Sequence, residues 1–197
     1  MRWDNLFDDL EGQLEQELSA DELDERAEEE RLRLGRLSLR ERILALHEGD
    51  DSLVLSVALT NGQQLVVRPS TFGRDWFAAD LDEGTHRRSV CIVPLAAVSA
   101  LLLTRAQIEA SLVEVDAASG ANSLSARLTL PFVLRDLCRR RSALTLRTTT
   151  GDVHGTIDRV GRDHLDLAVH EAGTPRRQSS VTQCRVVPLA QLLLVRL

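Results

Sequence analysis

The chain has 197 residues, with 24 basic side chains against 30 acidic ones, a formal net charge of −6 and 43% hydrophobic residues. This balance excludes a disordered tail and a highly basic nucleic-acid protein, and the length suits one ordinary domain or two small ones. Aromatic residues make up 3% and Tyr is absent, so any core has to be built from Leu, Val, Ile and Ala; every basic residue is Arg.

Residues 1–36 form an acidic arm of net charge −8. Trp3, Phe7, Leu10 and Leu14 recur at i, i+4, i+7 and i+11, a narrow apolar stripe on a helix whose other faces carry Asp8, Asp9, Glu11, Glu15 and Glu17. Ser19-Ala20-Asp21-Glu22 has capping-box spacing, so a second helix is expected to carry Leu23, Ala27 and the run Glu28-Glu29-Glu30. No apolar leader follows Met1-Arg2-Trp3-Asp4, and the longest apolar run, around Val98 to Leu103, falls far short of the ~20 residues that span a bilayer. Three Cys (Cys91, Cys138, Cys184) contain no CxxC pair. A soluble, reduced, cytoplasmic protein without membrane contact is the expectation.

Beyond the arm the chain repeats itself. Leu37-Ser38-Leu39, Thr60-Asn61-Gly62, Phe72-Gly73-Arg74-Asp75-Trp76 and Val93-Pro94-Leu95 are answered in order by four later segments. These are Leu128-Thr129-Leu130, Thr150-Gly151-Asp152, Val160-Gly161-Arg162-Asp163-His164 and Val187-Pro188-Leu189. Tandem units are expected at 37–105 and 126–197, joined by a linker at 106–125 that contains the small-residue stretch 117–123.

Each unit opens with helical spacing, Leu39, Ile43 and Leu46 in the first and Leu130, Leu134 and Leu137 in the second. The period then drops to two, through Leu53, Leu55, Val57 and Leu59 or through Leu144 and Leu146. Asn61-Gly62 and Gly151-Asp152 supply hairpins, and Gly73 and Gly161 turn the chain into strands with Phe77, Ala79 and Leu81 or Leu165, Leu167 and Val169 facing inward. A fourth strand ends at Pro94 or Pro188. A short fifth follows, through Leu101-Leu102-Leu103 or Leu193-Leu194-Val195.

One helix followed by five turn-punctuated strands is the plan of a small Sm-like or SH3-like barrel. The expected fold is therefore mainly β with helices (α+β): two tandem five-stranded barrels, each with a leading helix, behind the acidic arm. The segment Gly151-Asp152-Val153-His154-Gly155, with Gly161-Arg162-Asp163-His164-Leu165-Asp166, resembles the first half of an Sm motif over about 25 residues. Where Sm proteins carry an RNA-contacting polar turn, this chain has Pro188-Leu189, an ending similar to PRC-type barrels, which implies protein contacts. The opening Arg2-Trp3-x-x-Leu6-Phe7-x-Asp9-Leu10-Glu11 with two such units resembles a family of actinobacterial proteins, a resemblance that implies no activity.

Three surfaces are candidates for function. The arm's Trp3, Phe7, Leu10 and Leu14 suit docking into a partner's groove, or folding back to cover a sheet edge. Trp76, on the outer strand parity, is either a contact residue or a covered one. The second unit holds 12 Arg against 6 acids, including Arg139, Arg140 and Arg141 at a helix end and Arg176 and Arg177 in a loop. That cluster suits phosphates of nucleic acid, or pairing with the acidic arm. His154, His164 and His170 with Asp158, Asp163 and Asp166 match no metal-site spacing, and Cys91, expected to be partly exposed, has no neighbouring base. No catalytic residue, metal or cofactor is assigned. The expectation is a non-catalytic adaptor that binds another protein through the arm, Trp76 or the fifth-strand edge at Leu193, Leu194 and Val195, with self-association through edge strands as a further possibility. The alternative is an RNA- or DNA-binding regulator using the Arg-rich second unit.

Overall fold

Alternating apolar residues set the strands. Leu55, Val57 and Leu59 are buried and the residues between them half-buried, so Leu55–Leu59 forms strand β1 with one face on a core. A hairpin at Asn61-Gly62, with Gly62 at φ 84°, leads to β2 (Gln64–Phe72). β3 (Trp76–Leu81), β4 (Ser89–Pro94) and β5 (Val98–Leu102) complete the first set. The second set is β6 (Ala143–Thr148), β7 (Gly151–Val160), β8 (His164–Val169), β9 (Gln183–Pro188) and β10 (Leu192–Arg196). The computed structural model describes residues 22–82, 89–115, 124–174 and 176–197.

The chain divides into two units, Met1–Ser38 and Leu39–Leu197. In the first, residues 22–36 form helix α1, as the capping-box spacing leads one to expect. Its exposed surface carries the ion pairs Glu22–Arg26, Glu28–Arg31 and Glu30–Arg33 at helical spacing, each worth a few tenths of a kcal/mol, about 0.2–0.5. Trp3, Phe7, Leu10 and Leu14 lie outside the described residues.

The second unit holds α2 (Leu39–Gly49), α3 (Arg105–Ala110) and α4 (Leu130–Arg139). α2 buries Ile43, Leu44, Ala45 and Leu46, and α4 buries Leu130, Leu134 and Leu137 against β7. The segment expected as a linker begins within α3, whose Thr104–Gln107 capping box satisfies its first turn. Just beyond it the buried Ser111 hydroxyl accepts from Arg42 Nη2 at 2.7 Å and donates to the Ile108 carbonyl, tying α3 to α2.

The expected pair of closed barrels is not formed. All ten strands lie in one open antiparallel sheet, ordered β5-β1-β2-β3-β4-β10-β6-β7-β8-β9. Each half keeps the same internal order, but the edge of β4 is occupied by β10, with Val195 opposite Ile92 and Arg196 opposite Cys91. The edge that two independent barrels would have kept to themselves is used to join the halves. The Leu197 N–H donates to the Val90 carbonyl at 2.9 Å and Arg196 Nη2 donates to Ser89 Oγ at 3.0 Å.

The two hydrophobic cores exchange side chains at this seam. Leu193 and Leu194 of β10 are buried in the first core, with Ile43, Leu55 and Phe77. Trp76 and Ile92 of the first half are buried in the second, with Leu134, Leu146 and Val195. Cys91, expected to be partly exposed, is fully buried in the first core, on the inward face of β4 opposite Ala79, in the cluster that Leu193 and Leu194 of β10 complete. The pairing of β10 with β4 buries Leu193, Leu194 and Val195, so the edge expected to receive a partner at those residues is the internal seam.

Leu194→Ala removes a side chain that one half inserts into the other's core. It should cost about 2–5 kcal/mol. Urea denaturation followed by circular dichroism should show one transition, shifted to lower denaturant; two separate transitions, one of them unshifted, would mean that the halves fold independently.

Candidate functional site

The two halves of the sheet are built alike and end differently. In both, a β-bulge interrupts the second strand, between Pro69 and Thr71 in β2 and between Ile157 and Arg159 in β7. The turn Gly then donates to the carbonyl three residues on, Gly73 to Trp76 and Gly161 to His164. A Cβ on Gly73 would run into the Trp76 indole and one on Gly161 into the His164 imidazole, which is why both turns need Gly. Leu95 donates to Asp75 and Leu189 to Asp163 in the same way.

In the first half this corner is occupied. The Asp75 carboxylate accepts from the Leu130 N–H at 2.7 Å at the start of α4, and Trp76 Nε1 donates to the Leu128 carbonyl at 3.0 Å. Trp76 therefore lies on the outer parity, as expected, but is only 5% exposed, covered by its own chain. In the second half the equivalent corner is open. Asp163 is 85% exposed and pairs only locally, its Oδ1 2.8 Å from His164 Nδ1.

Position by position, the covered residues of the first half become polar or open in the second. Trp76 is answered by His164, the partly buried Ala78 by Asp166, and Ile92 by Val186, which is 69% exposed. The buried Cys91 is answered by Arg185. Around this end of β7, β8 and β9 lies a cleft of about 420 Å³ whose charged lining is Arg141, Arg159, Arg176 and Arg185 with Asp158 and Asp166. Four guanidinium groups against two carboxylates leave it net positive.

Asp158 organises the cleft. It sits at the β7 bulge, which re-aims its side chain relative to the regular ladder. Arg176 Nη2 reaches Oδ2 at 2.6 Å and Arg141 Nη1 reaches Oδ1 at 2.9 Å. The hydrogen bond from Arg176, reinforced by both positive charges, holds the Asp158 carboxyl below its ordinary range. Arg159 meets Asp166 only at 3.9 Å, and Arg185 Nε donates to Gln183 at 2.7 Å.

Of the Arg residues that the sequence singles out, Arg141 and Arg176 come together on this carboxylate. Arg139 and Arg140 instead turn back on Asp136, at 3.0 and 2.6 Å, neutralising the end of α4. Arg177 begins a short turn, its N–H donating to Ser180 Oγ at 2.9 Å. Sequence reasoning weighed Asp158 and Asp166 only as metal ligands and passed over Arg159 and Arg185. The strand register that sets Arg159 opposite Asp166 and Arg185 opposite Leu167 was the signal that could have grouped them.

His154 and His170 meet, and His164 stands apart from them on Asp163. His170 is buried, with Nε2 2.9 Å from Thr156 Oγ1 and Nδ1 3.1 Å from the Glu171 carbonyl. Since a carbonyl only accepts, Nδ1 carries the proton. His154 meets it edge-on at 5.3 Å and accepts or donates at Thr145 Oγ1, 3.0 Å away. Desolvation, then the neighbouring His170, lowers the His154 pKa. Among the described residues no group of three or more His, Cys, Asp or Glu is placed to hold a metal. All three cysteines are free, and burial pushes the Cys91 thiol up to about 12, so it stays protonated. No helix among the described residues is long and apolar enough to cross a membrane.

The shifts of His154 and Asp158 both make acid destabilising, in separate windows. His154 resists protonation in the folded chain, so the stability it confers is complete above the ordinary value of 6.5 and is lost as pH falls below it. Asp158 stays ionised lower than the ordinary 3.8, so its contribution is lost only as pH falls below that range. Thermal unfolding scanned from pH 8 to 2 should fall in two stages. His154→Asn should flatten the first, and Asp158→Asn the second while costing about 1–3 kcal/mol at neutral pH; unchanged profiles would remove both assignments. Comparison with family models, with curated proteins and with solved structures finds no match for the chain.

Proposed function

We propose that the protein is a non-catalytic, cytoplasmic adaptor that binds another protein by strand addition at the β5 edge. The observation that carries this reading is the contrast between the two outer edges of the sheet. β9 is guarded: Arg185 stands at the inward position that Cys91 fills in β4, and a charge there opposes pairing with an apolar strand. β5, Val98-Ser99-Ala100-Leu101-Leu102, carries neither a charge nor a proline, and its outer edge has no partner strand among the described residues. Its counterpart β10 already takes a strand on the matching edge, β4.

The solvent side of this edge is apolar as well. Ser56 stands opposite both Leu102 and Val66, so these three form a row across β5, β1 and β2. Leu102 is 44% exposed, and Val66 and Val54 are also open. An uncharged, β-branched segment of the kind found in β4 fits both the edge and the row. The β9 edge of a second copy fits less well, because it would bring Arg185 to the apolar strand, and pairing of two β5 edges would show as a dimer that lysines on this edge also dissolve. Three free cysteines suit a reducing compartment.

Lysines at exposed positions of an edge strand block addition without loading the core. The double variant Ala100→Lys, Leu102→Lys should keep the parent's circular dichroism and melting temperature. It should lose at least tenfold in affinity for a synthetic β4 peptide, Ser89–Pro94 with Cys91→Ala, measured by fluorescence anisotropy. Equal binding by parent and variant, or none by the parent, would count against strand addition here. Affinity capture with the same pair then identifies the natural partner.

A further inference from the structure

We propose that the Arg-lined cleft at the β9 end binds a small phosphate monoester, with Arg176, Arg141 and Arg185 as its recognition groups. This site is separate from the β5 edge and does not depend on the strand-addition reading.

The charges belong to this cleft and not to the fold. The first half has the same bulge, strands and register, yet Ser70, Thr71, Ala78, Cys91 and Ile92 stand where the second half has Asp158, Arg159, Asp166, Arg185 and Val186. A scaffold that is stable with uncharged residues at these places has acquired three charged side chains from its strands beyond the bulged Asp158. Arg141 and Arg176 are added from the α4–β6 turn and the β8–β9 connection.

Arg141 is the most informative of them. The Arg141 N–H donates to the Cys138 carbonyl at 3.1 Å and the Ser142 N–H to the Leu137 carbonyl at 3.2 Å, a helix ending in which the Arg141 position adopts left-handed backbone and is ordinarily Gly. Arg141 has φ 53° and is the sole non-Gly residue with positive φ among those described. Gly would relieve the backbone and lose the guanidinium. The chain keeps the guanidinium and aims it at Asp158.

Arg176 supplies the opening for a ligand. Its Nη2 holds Asp158, while its Nε is buried with no hydrogen-bond partner among the described residues. A buried donor of a charged group left unpaired is costly, and an oxyanion beside it would satisfy it. Asp158 serves as the positioning residue, fixing the forks of Arg141 and Arg176 on either side. The cleft's volume is that of a small-molecule site. Asp158 and Asp166 interrupt the positive surface and no aromatic ring among the described residues lines it, so a compact dianion fits better than a polynucleotide, which needs a continuous basic track and stacking platforms.

The full chain should be titrated calorimetrically, and melted in parallel, with phenyl phosphate, with inorganic phosphate, with sulfate at equal ionic strength, and with a single-stranded oligonucleotide at equal phosphate concentration. Saturable binding of phenyl phosphate that exceeds sulfate at least tenfold is expected, weakened at least tenfold in Arg176→Gln and in Arg185→Ala. Arg141→Gly separates function from structure: it should melt no lower than the parent in phosphate-free buffer by more than a few degrees, yet bind at least tenfold more weakly. Three results would overturn the proposal: no saturable binding by the parent, equal binding by all variants, or tighter binding of the oligonucleotide than of phenyl phosphate.

Discussion

The pairing of β4 with β10 is the constraint on which the rest of the molecule depends. An antiparallel ladder of few residues would be weak alone, but each half also lends the other two large apolar side chains, Leu193 and Leu194 in one direction and Trp76 and Ile92 in the other. At roughly 1.5–3 kcal/mol for each large side chain buried, the exchange is comparable to the whole net stability of a domain. It turns two repeats into one ten-stranded sheet and decides which edges remain open. Without it the first half would expose a strand edge at Cys91 and the second a row of leucines.

The repeat explains why the two open ends differ from the seam. Leu193 and Leu194 of β10 correspond to Ser99 and Ala100 of β5, and Cys91 of β4 corresponds to Arg185 of β9. The large apolar residues that make the seam adhesive are thus absent from the matching places at the ends. Simple head-to-tail addition of further copies, in the register of the seam, would set Arg185 of one copy opposite the apolar Leu102 of the next, which weakens it as a mode of assembly. One end is left as a short uncharged edge and the other as a charged cleft, two surfaces of opposite chemistry on one rigid support.

Much of the scaffold was legible in the sequence because it rests on local rules. Alternation located β1, β6 and their hairpins, Gly62 and Gly151 take the positive φ that their turns require, and Leu130, Leu134 and Leu137 bury one face of α4 as their spacing implies. What local rules could not convey was the use of the strand edges. Periodicity assigns a residue to a face, but whether an edge closes on its own half or on the next depends on long-range pairing, so the open sheet and the burial of Cys91 were missed. Trp76 shows the same limit: parity placed it outward, and only the seam shows that outward means covered. Composition found the Arg clusters at 139–141 and 176–177, yet it took the bulge at Asp158 to show that Arg141 and Arg176 converge while Arg139 and Arg140 are spent on Asp136. The arm's Trp3 and Phe7 lie outside the described residues, so their stripe stands as a sequence expectation.

Cys91 offers the most direct test of the seam, since its thiol is buried in the core cluster that Leu193 and Leu194 of β10 complete. In a Cys138→Ser, Cys184→Ser background, its labelling by a thiol reagent should be followed in native buffer and across low urea concentrations. If the halves form one cooperative sheet, labelling should require global unfolding, with a urea dependence equal to that of the equilibrium transition. Labelling through an opening of much smaller urea dependence, while circular dichroism stays native, would show that the seam parts on its own and would contradict the account.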